Sequence, residues 1–224
     1  MSPRPRQASD EDMLKATFRT ITRLGPARLT LADVAREAGV SAPAVIQRFG
    51  SKRALLLAAA ADAATGSDYI FPGLRAKHRS PVAALLGLAE CMTLMGSTPQ
   101  DVANTLTFVR HDLTDGDFHR HAAIGSQRMH EGITALVAEA VTAGELRRCH
   151  AGRLAWALLA TMNGSLLNWT VHREGTLAAW IRRDLKVVLD GYAQPGRRGN
   201  VAKKKRAGRL ATVNGASRRG AVRP

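Results

Sequence analysis

The segment 31–52, LADVAREAGVSAPAVIQRFGSK, constrains the fold of this chain more than any other stretch. Val34, Ala35 and Ala38 recur at helical spacing and give a first short helix one apolar face. Gly39 stands where that helix must stop, at a position needing positive φ, which glycine adopts without strain. Ser41 offers a hydroxyl as N-cap of a second helix, and Pro43 falls in its first turn, where a missing N–H is harmless. Val45 and Phe49, four apart, make the inward face of that second helix. Ala35 must be small because the second helix crosses it closely. A small residue, a glycine four on and an apolar residue six further have the spacing of a helix-turn-helix, which sets its second helix into the DNA major groove.

The flanks sharpen this reading. Met13, Leu14, Phe18, Ile21 and Leu24 predict an amphipathic helix that starts at Ser9, with Asp12 completing a capping box, and ends at Gly25-Pro26. Directly after the motif, Gly50-Ser51-Lys52 opens a long apolar helix. With these flanks the stretch resembles the DNA-binding domain of the TetR family of bacterial repressors. The residues that carry the resemblance are Leu29-Thr30-Leu31, Val34-Ala35, Glu37-Ala38-Gly39-Val40-Ser41, Val45, Phe49 and Ser51-Lys52, within about residues 10 to 60. The resemblance implies an all-α fold: an N-terminal three-helix helix-turn-helix domain and a larger C-terminal helical domain for ligand binding and dimerisation. The corresponding division is a flexible arm at 1–8, the helix-turn-helix domain at 9–50, a helical domain at 51–194 opening on a connecting helix at 51–65, and a disordered basic tail at 195–224.

Eight residues are candidates for DNA contact. Thr30 caps the first motif helix, with Asp33 in the reciprocal position, and its hydroxyl is placed to meet a phosphate at the helix N-terminus. Ser41 and Lys52 can do the same at the next two helix starts. On the recognition helix, Ala42, Pro43 and Ala44 offer apolar contact, for instance to thymine methyls, while Gln47 suits adenine and Arg48 suits guanine, each bidentate. Here the chain departs from the family pattern, which carries Thr or Ser near Ala44 and aromatic residues near Ile46 and Arg48. Ile46 cannot give the phosphate hydrogen bond that a tyrosine there supplies, which changes the expected operator and leaves the binding mode intact.

Charge fits a nucleic-acid partner. Ten of the 33 Lys and Arg residues lie in 195–224, which holds no acid, so the +15 total leaves +5 on residues 1–194. Arg4 and Arg6 in the N-terminal arm can enter a minor groove, or the arm can be a plain disordered terminus. The tail can hold DNA non-specifically with strong salt dependence, or be dispensable. Alanine and leucine abundance favours helix, and no apolar run reaches the roughly 18 residues of a membrane span. Without a signal-peptide core at the N-terminus, a cytoplasmic, nucleoid-associated protein is expected. Cys91 and Cys149 read as two free thiols.

The rest of the chain predicts helices. Residues 66–79 read as a loop with a short helix. A helix then runs from Ser80-Pro81 to Met95, another from Thr98 to the break at Asp115-Gly116-Asp117, and a long one from Phe118 to Ala143. The last two helices, near 151–172 and 176–193, are broadly apolar, with Gly164 and Ser165 small enough for close approach. By resemblance they form a four-helix homodimer interface with a second copy. Also by resemblance, an apolar cavity in the middle helices takes a small-molecule effector, and Met92, Met95, Phe108 and His111 are candidates to line it. His111 or Arg110 can orient a polar ligand group.

The expected activity is a dimeric repressor on a palindromic double-stranded operator, released by an apolar small molecule, without a cofactor. Two other readings compete. One is a ligand-independent architectural DNA binder that uses the basic tail. The other is a metal-dependent enzyme built on His111, His119 and Asp117. Against the latter, His119 and His121 are two apart and point to different faces of a helix, and no HExxH, nucleophile-elbow or phosphate-loop pattern occurs. No metal or catalytic residue is assigned on this basis.

Overall fold

The computed structural model describes residues 8–194, with the side chains of residues 110–113 excepted. The expectations for the arm, apart from Ala8, for the basic tail, and for Arg110 and His111 as ligand-orienting side chains lie outside the described residues. Among those residues the chain is helical, and its one β feature is an isolated antiparallel bridge between Leu146 and Ala193. No single described helix is long and apolar enough to cross a membrane.

Helix α1 (Asp10–Arg28) opens on the anticipated capping box: the Asp12 N–H donates to Ser9 Oγ at 3.1 Å and the Ser9 N–H to Asp12 Oδ2 at 3.0 Å. Its regular run does stop at Gly25, at φ 75° and ψ 158°, but one further helical turn from Pro26 to Arg28 follows, which the sequence reading placed outside the helix. Helix α2 (Leu31–Ala38) has the Thr30–Asp33 box and ends on Gly39 at φ 70° and ψ 29°. Helix α3 (Ala42–Phe49) starts at Ser41, yet the Ser41 hydroxyl makes no capping hydrogen bond, so the backbone and Pro43 set this start instead. Helix α4 (Lys52–Ala63) is capped by Ser51, whose Oγ accepts from the Ala54 N–H at 3.1 Å.

The helix expected within the loop at 66–79 takes up most of that stretch. It is α5 (Ser67–Lys77), an eleven-residue helix with Pro72 inside it. Local propensity argues against helix here, and packing overrides it: Phe71 and Leu74 are buried, and the Phe71 ring lies on bare backbone of a later helix at Gly132. A Cβ added at Gly132 would fall 2.0 Å from Phe71 Cε2, so only glycine fits. Helix α6 (Pro81–Cys91) starts on Ser80 and gives way to a 3-10 turn (Met92–Met95), where one continuous helix was expected. Helix α7 (Pro99–Thr114) starts on the Thr98–Asp101 pair, and α8 (Gly116–Thr142) starts on Asp115. Helices α9 (Ala151–His172) and α10 (Leu177–Asp190) close the chain, α10 ending before the anticipated Ala193.

Two apolar clusters organise these helices. The smaller joins Met13, Ile21, Val34, Ala35 and Val45 with Leu55, Leu56 and Ala60 of α4, and takes in Phe108 and Phe118. The larger lies among α5 to α10, around Leu85, Leu88, Ile133, Leu158, Met162 and Ile181. By packing, then, the first part of α4 and the tips of α7 and α8 belong with the helix-turn-helix. Burying leucines of this kind is worth about 2 to 5 kcal/mol each by truncation to alanine, which makes both clusters the main stabilising centres.

Candidate nucleic-acid interface

On α3 the burial pattern separates an inward face from an outward one. Val45 is fully buried, Ala42 and Phe49 are half-buried beside it, and Pro43, Ile46, Gln47 and Arg48 are exposed. The first motif helix is braced against α1, since Glu37 at the end of α2 accepts from Arg19 Nε at 2.7 Å and lies 3.7 Å from Arg23.

The candidate contact residues differ in how free they are. The Thr30 hydroxyl donates to Asp33 Oδ2 at 2.6 Å, and that carboxylate lies at the N-terminus of α2, where a phosphate was expected. Hydrogen bonds from Thr30 hold the Asp33 carboxyl below its usual range, with the Arg36 guanidinium adding to the effect. Ser41 is exposed and its hydroxyl is uncommitted as a cap. Lys52 Nζ donates to the Ala27 carbonyl at 3.0 Å, and Arg28 Nε to the Leu24 carbonyl at 3.0 Å, so both cations crown the end of α1. Gln47 has no hydrogen bond among the described residues. Arg48 is paired with Asp10 on α1, and the hydrogen bond to that carboxylate raises its already high pKa.

Three of the four ligand candidates are not gathered together. Met92 and Met95 pack, half-buried, on the larger cluster, whereas Phe108 is buried in the smaller one, edge-on to Phe18 at 6.4 Å and to Phe118 at 6.1 Å. Phe108 therefore sits at the seam between the reader and the C-terminal helices. The side chain of His111 lies outside the described residues.

Sequence reasoning missed the rest of this seam. Asn104 on α7 is buried and donates through Nδ2 to the carbonyls of Thr22 at 2.9 Å and Arg23 at 3.1 Å. Gln100 donates to Asn104 Oδ1 at 3.2 Å and fixes the orientation of the amide. Arg53 Nη2 donates to Asp115 Oδ2 and Asp117 Oδ2, each at 2.9 Å, and its guanidinium lies over the Phe118 ring at 5.7 Å. The two aspartates read as loop residues or metal ligands from sequence are thus tied to α4. One signal was present: an arginine in the first turn of a helix opposes the helix dipole and calls for acidic partners.

At the other end of the molecule, much of the apolar surface of α9, from Leu154 and Leu158 to Met162, Leu166 and Trp169, is buried in the protomer's own core. Ser165 also faces inward and donates to Asp184 Oδ2 at 2.7 Å, which corrects its assignment to an outer surface. What remains outside on α9 is Trp156, Leu167 and Val171, with Gly164 opening on empty space, and α10 adds Val187.

Residues 13–59 match the family model of the bacterial regulatory proteins, tetR family. The HTH-type transcriptional regulator BetI of Agrobacterium fabrum is 32% identical over 146 residues, 60% of this chain and 64% of that protein. The chain thus spans just under two thirds of the length of that relative. Among solved structures, SmeT, the repressor of the Stenotrophomonas maltophilia multidrug efflux pump SmeDEF, is similar at TM-score 0.59 and 21% identity, over 85% of this chain and 93% of SmeT. A TetR-family regulator from Agrobacterium tumefaciens gives TM-score 0.64 and 16% identity over 83% of this chain and 97% of its own. FadR of Bacillus subtilis, solved in complex with stearoyl-CoA, gives 0.61 and 13% over 82% and 99%. These structures speak for the fold, and the motif at 13–59 speaks for the reader. Over residues 13–59 the chain is thus similar to the tetR family of bacterial regulatory proteins, and its fold is that of these solved structures.

Proposed function

We propose that this chain is a DNA-binding transcriptional repressor that works as a homodimer on a two-fold-symmetric operator and is released by an apolar small molecule. The observation that carries the reading is the outward face of α3, where Pro43, Ile46, Gln47 and Arg48 stand exposed on a helix-turn-helix braced from behind. Ser41 and Lys52 would meet phosphates, Thr30 would do so on release of its hydroxyl from Asp33, and Ala42, Pro43, Ala44, Gln47 and Arg48 would line the groove. A single eight-residue recognition helix reads few bases, so a two-fold pair is needed for specificity. The exposed apolar residues of α9 and α10 support a dimer through those helices.

The effector reading rests on the relatives: SmeT is described as a repressor, and FadR was solved with an acyl-CoA. The ligand must favour one of two reader positions, and the Phe18–Phe108–Phe118 seam supports coupling between them. A cytoplasmic location goes with this reading. The test is selection of bound fragments from random DNA by the full-length protein at about 150 mM salt, where counterion effects are moderate. One two-fold-symmetric motif is the expected outcome. A pool without a motif would overturn the repressor and leave an architectural DNA binder that relies on the ten basic residues of 195–224.

A further inference from the structure

The outward face of α3 has an order that goes beyond a list of exposed residues. Pro43, Ile46 and Gln47 are spaced i, i+3 and i+4 and so share one stripe, opposite the buried Val45. Ile46 lies on the flank of that stripe away from Gln47, next to Pro43, and is 49% exposed. Arg48 falls off it to one side and is already held by Asp10. The central reading surface therefore carries one amide and two apolar side chains.

We propose that Ile46 is a specificity-determining residue that packs on a thymine C5-methyl in each operator half-site, beside an adenine read by Gln47; the inference rests on the repressor reading above. The chemistry leaves little else for this side chain. A branched alkyl group can neither donate to a phosphate nor accept from a base edge. In the major groove its one favourable neighbour is the thymine methyl, the only apolar group a base presents there. Pro43 extends the same apolar contact, and Gln47 matches the N6–H and N7 of adenine in a bidentate pair. The half-site core should accordingly be rich in A·T pairs, with guanine contacts by Arg48 secondary because they require release from Asp10.

The experiment uses the full-length protein and the operator obtained by selection. Each thymine of the half-site is replaced in turn by deoxyuridine, which removes the methyl alone. At one position per half-site the substitution should weaken binding about fourfold, the worth of one buried methyl group, and about sixteenfold when both half-sites are changed. In Ile46→Ala, which empties an exposed position and should leave the melting temperature unchanged, the same substitution should have no effect. Deoxyuridine that is harmless at every thymine, or a loss equally large in Ile46→Ala, would overturn the inference while leaving the repressor intact. Failure to select any symmetric operator would bring down the repressor reading itself and this inference with it.

Discussion

The two ends of α1 are held in opposite ways. At the front, Asp10 reaches the recognition helix through an exposed ion pair with Arg48, of the kind that adds little to stability. Further back, α1 is held by groups of α7: the buried Asn104 on the carbonyls of Thr22 and Arg23, and the buried Phe108 against the half-buried Phe18 at mid-helix. Lys52 and Arg28 crown the rear end. The helix-turn-helix is thus anchored where it meets the C-terminal helices and lightly tied at the face proposed to meet DNA. A displacement of α7 would carry the rear of α1 with it, and the front can exchange its ion pair for a phosphate or base at small cost.

The largest expected effect breaks the rear anchor outright. Phe108→Ala should destabilise the protein by about 3 to 5 kcal/mol, read by denaturant unfolding, because its ring is buried between two others. Asn104→Ala leaves two carbonyls without their donor and should cost about 1 to 3 kcal/mol, with amide exchange rising first at the rear of α1. If exchange rose equally at both ends, the asymmetry would be lost.

Arg53→Gln sharpens the comparison through pH. Hydrogen bonds from Arg53 hold the Asp115 carboxyl below its usual range. A carboxyl lowered in the folded state adds stability that is complete above its unfolded pKa and is lost as pH falls through the folded value. The native protein should therefore lose stability on acidification in the low carboxylate range, and Arg53→Gln should show less of this loss, as read by melting temperature against pH. The smallest effect belongs to the front. Asp10→Asn should leave the melting temperature unchanged and strengthen binding to all DNA sequences, since it removes an anion beside the reader and releases Arg48. A drop in melting temperature comparable to that of Asn104→Ala would show that the front is as firmly held as the rear.

The same front-to-rear contrast governs how much could be read from sequence. The Ser9–Asp12 and Thr30–Asp33 boxes and the Gly39 turn depend on neighbours within a few residues, so their sequence signal is complete. Asn104 acts on Thr22, 82 positions away, and Arg53 on Asp115, 62 away, and no local pattern encodes such pairs. Phe108 read as a candidate lining of an effector cavity, and its place in the smaller core depended on the crossing of α1 and α7. Helix α5 was obscured by Gly66, Pro72 and Gly73, whose breaker signal is outweighed by the burial of Phe71 and Leu74. Ser41 carried the signature of a cap and is not used as one. The outward face of α3 was legible as a candidate, whereas the apolar residues left outside on α9, Trp156, Leu167 and Val171, were not singled out from sequence.

The two glycines at 132 and 164 turn this into a statement about drift over generations. Position 132 is closed by the chain's own Phe71, so in a library of variants it should tolerate glycine alone under any selection for folding. Position 164 opens on nothing within the protomer, so folding by itself imposes no constraint there. Any intolerance recorded at 164 would have to come from outside the described residues, and a catalogue of surviving variants would then support the proposed second copy at that position.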